Sequence, residues 1–198
     1  MKNNPLTFLE ASQLIREAEQ LAEREISILT SSSLYQIEIY LRAYAVKRAF
    51  NLNITTLDFG TLKQALYEER YYKDPILILL PWDFLGSLDW RTGISNTPMN
   101  LNEAKDEIDH FSDLVRKITN SKIFYLDAIV PPITNHREEL NEIKRHISFS
   151  ADRLDAVFFD PKFFCFKTYL SNGCPFSSNS LSLIANKLIE SINFEKSS

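Results

Sequence analysis

Glycine is scarce in this chain, four among 198 residues, and no glycine-rich loop of the kind that cradles phosphate can be assembled from them. Cysteine is scarcer still. Cys165 and Cys174 lack the close spacing of metal ligands; a disulfide between them stays open, with two reduced thiols as the expectation. The three histidines, His110, His136 and His146, form no ligand cluster with cysteines or carboxylates, so neither a metal nor another cofactor is expected. No apolar run reaches membrane-spanning length, and the N-terminus lacks the apolar core of a signal peptide. The expectation is a cytoplasmic protein without a membrane span. A net charge of −4 without a long basic run disfavours a nucleic-acid partner.

What is present is a core. Hydrophobic residues make up 44% of the chain and charged residues 24%, enough for one domain over residues 1–198. Thr7 and Glu10 read as a capping box, and Leu14, Ala18, Leu21 and Ala22 continue a helical stripe, predicting an N-terminal helix within 1–25, over roughly 8–25. Strands are predicted near 26–30, 54–58, 76–80, 122–126 and 155–159 from short apolar, β-branched or aromatic runs. Between them lie helical patterns: Leu34, Ile37, Leu41 and Tyr44; Thr61 to Leu66; Ala104, Ile108, Phe111 and Ile118; Leu140, Ile143 and Ile147; and Leu181 to Ile192. An aromatic loop follows Asp160-Pro161, and residues 194–198 read as a fraying tail. The run Ile76-Leu77-Ile78-Leu79-Leu80 is apolar on both faces, as a central parallel strand must be. Strict alternation predicts a three-layer α/β fold of flavodoxin-like type, its five-stranded parallel sheet ordered 2-1-3-4-5 between two helical layers.

In such a sheet, ligands bind beyond the carboxyl ends of the strands. Those ends carry Thr30 to Ser33, Asp58 to Gly60, Pro81 to Asp83, Asp127 to Pro132 and Asp160 to Lys162. Ser31, Ser32 and Ser33 admit two readings, a plain cap for the next helix or an anion- or nucleophile-bearing turn. The long stretch 82–100 holds both tryptophans; Trp82, Asp83, Trp90 and Arg91 either fold over the strand ends and line a pocket beside Ser32, or the tryptophans only anchor the loop into the core. A serine nucleophile needs a base within reach; of the histidines, His136 alone follows a strand end.

Residues Ile26 to Leu80 resemble the N-terminal domain of FkbH-like proteins, which has the SGNH (GDSL) hydrolase-like fold and usually precedes a HAD-type phosphatase or glyceryl-transfer domain. The resemblance is carried by Thr30-Ser31-Ser32-Ser33-Leu34, Leu41-Arg42-Ala43 with Lys47-Arg48, Asp58-Phe59-Gly60 and Asp74-Pro75, and the pattern of 122–192 extends it. It implies Ser32 at the nucleophile position, within Thr30-Ser31-Ser32 where the family reads Gly-Asp-Ser, and Gly60 at that of the oxyanion-hole glycine. Trp82-Asp83 stands near the family's oxyanion asparagine. Asn172-Gly173-Cys174-Pro175 takes the place of Asp-x-x-His, so the acid and the histidine would both be missing. The resemblance therefore implies a degenerate domain, a possible pseudoenzyme. It would bind an acyl, glyceryl or sugar intermediate, its carrier protein, or a separately encoded HAD-type enzyme, in bacterial polyketide or surface-polysaccharide assembly. The alternative is an active esterase or acyltransferase using Ser32 with His136 or Asp83 as an unorthodox base.

Overall fold

Five short segments of alternating or continuous burial build the centre of the protein. In the computed structural model, which describes residues 4–16, 18–34, 36–88, 100–128 and 136–192, the strands are β1 (Ala22–Leu29), β2 (Phe50–Thr56), β3 (Pro75–Leu79), β4 (Lys122–Leu126) and β5 (Val157–Phe159). All pair in parallel, in the order β2-β1-β3-β4-β5. β1 meets β2 with Ile26 opposite Ile54, and meets β3 with Ile28 opposite Ile76. Order and direction are those predicted from the alternation.

Parity along the strands sorts the two halves of the core. Ile26 and Ile28, Ile76 and Ile78, and Phe124 and Leu126 point to one face. There they pack on α1 (Phe8–Ile15), α2 (Ile37–Val46) and α8 (Ser178–Ser191). Leu29, Leu77, Leu79 and Tyr125 point to the other, against α3 (Leu62–Tyr67), α4 (Pro81–Phe84), α5 (Leu101–Arg116) and α6 (Arg137–Asp152). All five β3 residues are buried, which is what a central strand covered on both faces requires. At the β5 edge of the sheet the burial lapses: Val157 and Phe158 are largely exposed.

Local chemistry explains where the elements start. Thr7 and Glu10 form the reciprocal capping box of α1, and Asn100 caps α5 by accepting from the amides of Asn102 and Glu103. Ser177 caps α8 through the Ser180 amide.

Three expectations need correction. The N-terminal helix ends at Ile15, and β1 begins at Ala22 instead of near residue 26. Ala22 to Glu25 have a helical neighbourhood in sequence, but they are drawn into the ladder with Phe50 to Asn53, a non-local gain that overrides local preference. The serine run does not cap the next helix either. α2 starts at Ile37, with Gln36 as its N-cap and no side-chain cap bond, and this leaves the serine oxygens for other partners. Finally, the aromatic stretch after β5 contains a further helix, α7 (Phe166–Asn172), closed by Gly173 in the left-handed region at φ 74°. Among the described residues, no helix is long and apolar enough to cross a membrane.

Candidate functional site

The sheet order reverses between β1 and β3: the chain leaves β1 for β2 on one side, then returns to lay β3 on the other. Neighbouring connections therefore diverge at this point and leave a crevice beyond the strand ends. A cavity of about 300 Å³ occupies it, its lining drawn from four regions of the chain: Ser31 and Ser32 after β1, Phe59, Gly60, Leu62 and Lys63 around the start of α3, Trp82 and Asp83 of α4, and Tyr169 in the middle of α7.

Its floor is a serine–carboxylate pair. Asp83 is the third residue of α4, immediately after the central strand, and its Oδ2 accepts from the Leu80 amide at 2.7 Å. This bond pins the carboxylate across the helix start, as acids in first turns do. Oδ1 is then turned toward β1, where the Ser31 hydroxyl donates to it. The Ser31 main chain is held as well, because its carbonyl accepts from the Gly60 amide at 3.2 Å. Gly60 takes φ 75° to make this approach, a conformation that costs glycine nothing sterically. Asp83 is only 3% exposed, and burial pushes its carboxyl up to about 7 against the opposing pull of the Ser31 hydroxyl, the Leu80 amide and the more distant Lys63 charge.

The wall is aromatic. The Trp82 ring stacks on Tyr169, with centroids 4.9 Å apart and planes at 18°, and Phe164 meets it edge-on at 6.4 Å. The indole Nε1–H donates to Ser32 Oγ at 3.2 Å, which locks the ring over the serine turn. Lys63 also lines the cavity and brings a cation, paired with Glu107 at 3.0 Å and lying over the Phe111 ring.

The structure thus brings together Ser31, Ser32, Gly60, Trp82 and Asp83. Ser33 lies behind them, lining a smaller neighbouring cavity of about 180 Å³ with Thr30, Leu34 and Phe59. Trp90 and Arg91 lie outside the described residues. His136 is the N-cap of α6 and is not among the residues lining the cavity. The other histidines are engaged elsewhere, His110 with the Tyr67 hydroxyl and His146 with Asp109. Among the described residues, no three His, Cys, Asp or Glu side chains stand together as metal ligands would.

Two wall residues, Lys63 and Tyr169, were not singled out in the sequence. Lys63 had a usable signal, standing two residues beyond the cap of a helix that begins at a strand end. Tyr169 had none, since its place depends on the packing of α7 against Trp82. Part of the Asn172-Gly173-Cys174-Pro175 segment does reach the site. Gly173 lines the cavity, Cys174 donates to the Phe176 carbonyl, and the Pro175 carbonyl accepts from the Cys165 amide.

No family model matches this sequence, and no curated protein matches it. A solved structure does resemble it: the crystal structure of the N-terminal part of the protein BF1531 from Bacteroides fragilis, containing a phosphatase domain and complexed with Mg. The two superpose with a TM-score of 0.66 at 12% identity, over 93% of this chain and 55% of that one. The chain therefore spans about half the length of that structure, and the likeness is one of fold: an α/β domain built on a parallel sheet.

Proposed function

We propose that this chain is a single SGNH-like domain of the FkbH-like kind. It binds a small acyl, glyceryl or sugar group, presented free or on a carrier, beside the Ser31–Ser32 turn. The observation that carries the reading is the walled cavity at the strand-order reversal, with Trp82 clamped between Tyr169 and Ser32. A volume near 300 Å³ suits a headgroup or short acyl chain better than an extended ligand. A fixed indole offers a flat surface for a sugar ring or a methylene chain at little entropic cost, and Lys63 supplies charge for a carboxylate or phosphate in the cavity. The similarity to part of a phosphatase-containing protein supports a setting in which such a domain works beside a HAD-type enzyme. Bacterial polyketide or surface-polysaccharide assembly is the setting the resemblance suggests.

The experiment is isothermal titration of the chain with three probes: butyryl-pantetheine, glyceryl-pantetheine and N-acetylglucosamine. Binding of one or more is expected, weakened at least about tenfold by Trp82→Ala, the loss of one good aromatic contact. Binding by none of the three, or binding indifferent to Trp82→Ala, would overturn the reading.

A further inference from the structure

Binding alone does not account for the floor of the cavity. A carboxylate buried to 3% exposure in a predominantly apolar layer is costly, and a structural role does not require one there. An asparagine would accept from the Leu80 amide equally well. Asp83 instead directs its second oxygen to the hydroxyl of Ser31, a residue that lines the cavity. The pair is held from both sides. Leu80 fixes the carboxylate, and the Gly60 amide fixes the serine main chain. Ser32 is placed differently: its Oγ accepts from the Trp82 indole, and among the described residues no carboxylate or imidazole is hydrogen-bonded to it.

We propose that Ser31, and not its neighbour, is an acyl-accepting nucleophile, with Asp83 as its direct general base. The substrate class is a small acyl ester or thioester that enters the cavity lined by Trp82 and Lys63. In the forward step the Ser31 oxygen forms a bond to the acyl carbonyl carbon while its proton passes to Asp83 Oδ1. The bond from that carbon to the leaving oxygen or sulfur then breaks, and the leaving group takes the proton from Asp83. The product is an acyl ester on Ser31 and a free alcohol or thiol, with no oxidant or metal required. A second acceptor, water or an alcohol, then bonds through its oxygen to the acyl carbon while its proton passes to Asp83; the bond from that carbon to Ser31 Oγ breaks, and Ser31 Oγ takes the proton back from Asp83, releasing the free acid or a new ester. Apolar surroundings suit this role, because they raise the basicity of the carboxylate toward neutral pH. The dyad differs from a serine–histidine–acid triad in having no imidazole relay.

The inference rests on the cavity reading for substrate entry, and the experiment separates the two. The chain is incubated with p-nitrophenyl acetate at pH 8, and the acetylated residue is located by fragmentation mass spectrometry of the peptide spanning the serine run. Butyryl-pantetheine binding to the same preparations is measured in parallel. The expected result is an acetyl group on Ser31, none in Ser31→Ala, and a rate of acetylation about 100-fold lower in Asp83→Asn, the size of a typical general-base contribution. The rate for the native protein should rise through an inflection near pH 7 that Asp83→Asn lacks. Acetylation of Ser32 instead, no acetylation, or equal rates in Asp83→Asn would overturn the dyad. Retained butyryl-pantetheine binding in that event would leave the binding reading intact, and its loss would remove both.

Discussion

Replacing Asp83 by asparagine should make the protein more stable at alkaline pH and be nearly neutral in effect at acid pH. The free carboxyl titrates near 3.8 in an unfolded chain and near 7 in the folded one. Between those values the folded state holds a proton that the unfolded state has lost, so stability falls as pH rises from about 4 to 7 and is level above. At roughly 1.4 kcal/mol per tenfold change in proton affinity, the total is about 4 kcal/mol, of which roughly 2–3 kcal/mol accrues between pH 5 and 8. The Asp83→Asn protein would carry none of this dependence. The introduced side-chain oxygen can accept from the Leu80 amide and the introduced amide group can donate to Ser31 Oγ, so both hydrogen bonds made in the native site survive in altered polarity. Urea unfolding of both proteins at pH 5 and pH 8, followed by tryptophan fluorescence and by far-ultraviolet circular dichroism, gives the comparison. The gap in favour of Asp83→Asn should widen by about 2–3 kcal/mol across that interval. A gap that stays constant with pH would refute the claim that burial dominates the Asp83 environment. A protein more stable without its carboxylate would also fit the pattern in which a functional site holds a group that folding alone disfavours.

Three further outcomes follow from packing and backbone geometry. Ile78→Ala empties a fully buried position on the central strand and should cost about 2–5 kcal/mol in urea unfolding. Ser182→Ala removes the hydroxyl that accepts from the buried Leu6 amide at 2.8 Å and bonds Tyr44 Oη at 3.0 Å; a loss of about 1–3 kcal/mol is expected, read in the same assay. Gly173→Ala places a side chain at φ 74° with nothing within 4 Å of the new methyl, so the penalty should be the backbone term of about 1–2 kcal/mol, with calorimetry showing a lower melting temperature and no loss of cooperativity.

The sequence by itself determined the layers and their order. Alternation of strand and helix patterns permits few packings of a parallel sheet, and a fully apolar run such as Ile76 to Leu80 has to lie in the middle, so the arrangement was legible from composition and period alone. It also marked Ser31, Ser32, Gly60, Trp82 and Asp83 as strand-end residues, because position relative to a strand end is a one-dimensional property. Only the tertiary structure decided which of them touch. Ser31 and Asp83 are 52 residues apart, and whether the carboxylate meets Ser31 or Ser32 depends on where β1 ends and how the following turn bends. Local sequence left that open, since the start of α2 at Ile37 and the non-local pairing of Ala22 to Glu25 both shifted the expected boundaries. Tyr169 joins the site for the same reason: it lies on a helix after the last strand, yet its ring stacks on Trp82, just beyond the central strand. Such contacts are fixed by the packing of the whole chain, and no local period encodes them.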